Sequence, residues 1–74
     1  MIGLDRKLKL GNKLKNLREA CDMSVREVGI AVDKSRVAYL GYENDHAYPN
    51  AETVLKMCKL FGISPNELLG WKDN

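Results

Sequence analysis

The chain has 74 residues, 45% apolar and 30% charged, with a formal net charge of +2. That length limits it to one domain with a thin core, burying roughly 60–65% of its unfolded surface. A cleft around a large cofactor does not fit, so no cofactor is expected. No N-terminal apolar run is long enough for a signal peptide or a bilayer span, which makes the cytoplasm the expected location and excludes a membrane as partner.

Charge is unevenly placed. Residues 1–20 carry six basic groups (Arg6, Lys7, Lys9, Lys13, Lys15, Arg18) against Asp5 and Glu19, a balance of +4, and the rest carries −2. A basic end of this kind suits phosphates. Cys21 and Cys58 stand far apart and outside any CxxC pair, and His46 is the sole histidine, so no metal site is expected. Both cysteines read as small apolar side chains on helix faces in a reducing compartment. No Ser/His/Asp or Cys/His arrangement and no paired carboxylates point to catalysis, and the protein is not expected to be an enzyme.

In chain order, residues 1–9 form a basic arm bearing Arg6, Lys7 and Lys9. Leu10, Leu14, Leu17 and Cys21 then recur at spacings of four, three and four, the stripe of an amphipathic helix. Arg18 lies beside that stripe and needs a partner if buried. Ser24 with Glu27 three residues on reads as a capping box opening a helix over Val25 to Val32, with Val28 and Val32 inward and Ala31 beside them. Gly29 costs about 1 kcal/mol within a helix relative to alanine, which marks it as a close crossing point with the next helix. Asp33-Lys34 supplies the turn, Asp33 tolerating the left-handed conformation.

Ser35 caps a third helix over Arg36 to Glu43, with Tyr39 and Tyr42 inward and Val37, Leu40 and Gly41 on the open face beside Arg36. Two short helices around so tight a turn present the second one outward. Asn44 to Pro49 is turn chemistry. Asn50 caps a helix over Ala51 to Phe61, with Val54, Leu55, Met57, Cys58 and Phe61 as its apolar face and Gly62 as its stop. Ser64-Pro65-Asn66-Glu67 opens a last helix carrying Leu68 and Leu69 and stopping at Gly70. Trp71 and a polar tail complete the chain. The expected fold is all-α, a compact five-helix bundle over residues 10–70, with an arm at 1–9 and a tail at 71–74.

Leu17-Arg18-Glu19, Met23-Ser24, Tyr42-Glu43-Asn44, Tyr48-Pro49 and the run Phe61 to Leu69, in this order and spacing, resemble the Cro/C1-type (Xre-like) helix-turn-helix family of phage-repressor-like DNA-binding domains. The resemblance implies a lambda-repressor-like fold and an ion pair between Arg18 and Glu43. It implies a recognition helix over 35–43 lying in the major groove, with Ser35, Arg36, Val37, Leu40 and Gly41 facing the bases. Arg36 suits a bidentate contact to guanine, and Val37 and Leu40 suit thymine methyls. Arg26, Lys34, Asn44 and His46 fall where phosphates run, with the N-terminal amides of the second and fourth helices.

Three positions depart from the family pattern. Val25 stands where glutamine usually opens the second helix, Gly41 where a polar or basic residue usually stands, and Asp45-His46-Ala47 where the loop is often rich in lysine or arginine. Each departure removes a donor or a cation from the expected DNA face.

The implied function is a small phage- or mobile-element-type transcriptional repressor on a double-stranded operator, without a second domain for induction. The alternative is a protein-binding module on the same scaffold, an antirepressor or antitoxin that uses Val37, Tyr39, Leu40 and Trp71 to hold a repressor or toxin. Trp71 either folds onto the core or seals a homodimer.

Overall fold

The computed structural model describes residues 10–70; the arm at 1–9 and the tail at 71–74, Trp71 included, lie outside the described residues. Those residues form α1 (Gly11–Ala20), α2 (Val25–Ala31), α3 (Arg36–Glu43), α4 (Ala51–Phe61) and α5 (Pro65–Leu69), with no strand among them. The fold is all-α, as expected.

The helix starts follow from side-chain chemistry. Ser24 and Ser64 each form the reciprocal capping box with the glutamate three residues on, and Pro65 occupies the first turn of α5. Ser35 Oγ accepts from the Ala38 N–H, and Asn50 Oδ1 accepts from the Thr53 N–H. Only α1 lacks such a cap of its own: Leu10 makes no side-chain capping bond.

The helix ends share one device. Asp22, Asp33 and Asp45 follow α1, α2 and α3 with φ of 58°, 64° and 60°, and Gly62 and Gly70 follow α4 and α5 with φ of 70°. At each aspartate the chain closes a Schellman motif. Met23 N–H donates to Arg18 O (3.1 Å), Lys34 N–H to Gly29 O (2.7 Å) and His46 N–H to Gly41 O (2.9 Å).

The core consists of Leu10 and Leu14, Val28 and Val32, Tyr39 and Tyr42, Met57 and Cys58, and Leu68. Tyr39 and Tyr42 meet edge to face, with ring centroids 6.3 Å apart. Burial, then the negative charge of Glu67, pushes the Cys58 thiol upward, so this cysteine behaves as an apolar core side chain.

Three expected burials are corrected. Cys21 is exposed, because α1 ends at Ala20 and the C-cap carries Cys21 off the Leu10–Leu14–Leu17 stripe. Ala31 is exposed, because the inward stripe of α2 runs through Val25, Val28, Gly29 and Val32, and Ala31 falls outside it at helical spacing. Leu55 is 59% exposed while Thr53 is buried. The apolar face of α4 is centred on Val54, Met57, Cys58 and Phe61, so Thr53 flanks it on the inner side and Leu55 lies beyond its edge.

Candidate nucleic-acid interface

Gly29 fixes the approach of α2 and α3. A Cβ there would sit 2.9 Å from the Lys34 carbonyl oxygen and 3.4 Å from that of Ser35, so a side chain would push the turn away. The two helices pack closely with Asp33 and Lys34 between them, and α3 crosses α1 as well.

A buried ion pair anchors α3 from beneath. Arg18 Nε donates to Glu43 Oε2 at 2.7 Å and Nη2 to Oε1 at 3.2 Å, while Nη1 donates to the Met23 carbonyl at 3.1 Å. The side chains are only 14% and 5% exposed. Burial alone would raise the Glu43 carboxyl, but the Arg18 hydrogen bonds and charge outweigh it and hold the group below the usual carboxylate range. The Glu43 hydrogen bond raises Arg18 in turn, against the effect of burial. Beside the pair, the wholly buried Tyr39 hydroxyl lacks a well-formed hydrogen bond. Burial first, then Glu43, pushes it far above the ordinary phenol range.

With Tyr39 and Tyr42 buried, the opposite side of α3 faces outward. Arg36, Val37, Leu40, Gly41 and Asn44 follow at steps of one, three, one and three residues, which places them along one face. Arg36 and Asn44 are exposed, Val37 is 76% exposed, and Leu40 and Gly41 are half-buried. A Cβ on Gly41 would meet nothing within 4 Å. Ser35 sits at the leading end with its hydroxyl engaged in the cap, Lys34 is half-buried in the turn, and Arg26 and His46 are exposed at either flank.

Of the positions named as DNA-facing, Arg36, Val37, Leu40, Gly41 and Asn44 thus share one face of α3. Tyr39 leaves the alternative protein-binding set, because its side chain is buried and offers nothing to a partner. Trp71, of that same set, lies outside the described residues.

Two of the three departures acquire a structural account. Val25, half-buried at the first position of α2, packs against the core. Asp45, though exposed, turns its carboxylate to the start of α1: its Oδ1 accepts from the Gly11 N–H at 3.0 Å, across 34 residues of sequence. Sequence reading missed that contact, since no local spacing connects a loop aspartate to a distant helix start. Ile30, 70% exposed on α2, was likewise unassigned.

Two shallow surface depressions carry no comparable chemistry. One is lined by Asn12, Lys13, Asn16, Leu17 and Ala20, the other by Ala31, Lys56, Lys59 and Leu60. Among the described residues, no helix is long and apolar enough to cross a membrane.

A helix-turn-helix family model matches residues 14–68. The transcriptional repressor RstR of the cryptic phage CTXphi, from Vibrio cholerae, is 33% identical over 58 residues, covering 78% of this chain and 52% of the repressor. The chain therefore spans about half the length of that curated relative. Among solved structures, the P22 c2 repressor in complex with synthetic operator 9T, in the presence of Tl+, superposes with a TM-score of 0.79 at 27% identity. That match covers 85% of this chain and 96% of the repressor chain. The chain belongs to the Cro/C1-type (Xre-like) helix-turn-helix family.

Proposed function

We propose that the chain is a small sequence-specific DNA-binding transcriptional regulator of phage-repressor type. The observation that carries this reading is the outward face of α3: Arg36, Val37, Leu40, Gly41 and Asn44 in one row, opposite the buried Tyr39 and Tyr42. A helix held outward in this way fits the major groove, which is wide enough to admit it. Arg36 is the long donor of the row and reads guanine by paired hydrogen bonds. Val37 meets a thymine methyl, and Leu40 lies beside it. Ser35 opens the base-facing row, Arg26, Lys34, Asn44 and His46 hold flanking phosphates, and Arg6, Lys7 and Lys9 add cations.

Two copies bind half-sites about one helical turn apart, as dimeric helix-turn-helix proteins do. The relatives support the reading, since one is described as a transcriptional repressor and the other was solved on an operator. The family is one of regulators rather than enzymes. Exposed Val37 beside Leu40 would also suit a protein partner, but those relatives favour DNA over an antirepressor or antitoxin role.

The test is Arg36→Ala measured against a panel of single-base variants of a duplex selected by the parent chain. Loss of roughly 1–3 kcal/mol, with discrimination relaxed at one base pair, is expected. An unchanged binding profile would count against the assignment.

A further inference from the structure

Asp45 combines two costs. It holds a left-handed conformation, with φ of 60°, which disfavours any residue with a Cβ. It also puts a carboxylate in the loop directly after the helix that faces DNA, where phosphates repel it. Asp22 and Asp33 share the first cost at the ends of α1 and α2. Asp45 differs in where its carboxylate goes.

The destination is the start of α1. Leu10 supplies no cap, and the first turn of α1 holds no acidic residue. Asp45 Oδ1 fills that role from a different element by accepting from the Gly11 N–H. A carboxylate at that end is favoured by the helix dipole, which also offsets the charge that DNA would otherwise meet.

Gly11 makes the approach possible. A Cβ on it would collide with the Glu43 carbonyl oxygen and lie 2.9 Å from Asp45 Oδ2. The end of α3 therefore rests on the start of α1 with no side chain between them.

We propose that Asp45 is a positioning residue for DNA recognition. Its carboxylate is the second of two pins that fix the angle of α3 on α1. The inference rests on the DNA-binding reading above. The first pin is Arg18–Glu43. Arg18 lies seven residues beyond Gly11, about 10 Å along the helix at 1.5 Å per residue. The two contacts engage α1 seven residues apart and α3 at Glu43 and just beyond it at Asp45, so together they restrain the end of α3 more than either does alone. Asn44 and His46 flank Asp45, so the same bond sets where these two candidate phosphate contacts stand.

Asp45→Gly and Asp45→Asn separate positioning from stability. Glycine keeps the left-handed turn without strain but has no acceptor. Asparagine tolerates the turn and keeps an acceptor while losing the charge. Three quantities are measured: the melting temperature, hydrogen exchange of the Gly11 amide without DNA, and affinity at fixed salt for a duplex selected by the parent chain from a randomised pool.

For Asp45→Gly, relief of the left-handed strain offsets the lost cap, so a melting temperature near the parent's, a Gly11 amide that loses protection, and binding weakened roughly tenfold are expected. Asp45→Asn should retain both protection and affinity. Parent-like binding by Asp45→Gly would overturn the proposal, and tighter binding by both variants would show that Asp45 acts only as a repelling charge. A parent chain that selects no duplex would overturn the DNA-binding reading and the proposal together, while the exchange data would still report on the Asp45–Gly11 bond.

Discussion

Gly41 and Gly11 occupy positions of opposite tolerance. At Gly41, in the interior of α3, an added Cβ meets nothing within 4 Å. Gly41→Ala should therefore stabilise the fold by about 0.5–1 kcal/mol, because alanine restricts the unfolded chain and favours helix. In a domain of this size that raises the melting temperature by a few degrees. At Gly11 the same substitution drives a Cβ into the Glu43 carbonyl. Gly11→Ala should cost about 1–3 kcal/mol, as overpacking does, and should lower the urea midpoint. The sequence suggested a close crossing at Gly29, because a glycine within a patterned helix needs a reason. Gly11 gave no comparable signal, sitting at a helix start where glycine is unremarkable and packing against a residue far along the chain.

At the scale of elements, helix starts were the most legible feature. Ser24/Glu27, Ser35, Asn50 and Ser64/Pro65/Glu67 each satisfy backbone donors through residues within three positions, so the chemistry is local. Burial at the margins of a stripe was less legible. Cys21, Ala31 and Leu55 looked inward because apolar character does not reveal where a helix ends or where its buried arc is centred.

The Arg18–Glu43 pair came from family resemblance and not from spacing, since a bond across 25 residues leaves no periodic trace. Removing one partner strands a buried charge, so Arg18→Met should destabilise the domain by about 3–5 kcal/mol in chemical denaturation. The pair also sets an acid limit. Glu43 is held below its ordinary value of 4.5 in the folded state, so its contribution is fully present above the unfolded pKa. It is lost as pH falls through the lower, folded one. Acid titration of stability should show this loss in the parent, and Glu43→Gln should be less stable at neutral pH with a shallower decline below about pH 4.5.

At the scale of the molecule, α1 supports, α2 braces and α3 presents. Arg18, Glu43 and the two tyrosines hold the inner side of α3, and Asp45 fixes its far end. The outward row is left less basic than a DNA reader's usual complement, with Arg36 as its one long donor. The fold was legible because caps, stripes and turn residues agree along the whole chain. The outward face of α3 was legible, since it is whatever the tyrosines are not. The contact of Asp45 with Gly11 was not legible, because it depends on two distant segments meeting.

The reading proposed above places DNA against the outward face of α3. The most direct measurement is an amide chemical-shift titration of the labelled chain with a duplex selected from a randomised pool, repeated at rising salt. The largest shifts are expected at Arg36, Val37, Leu40, Gly41 and Asn44, smaller ones at Arg26, Lys34 and His46, with steep weakening as salt rises. Shifts confined to other surfaces, with α3 unperturbed at saturation, would contradict it.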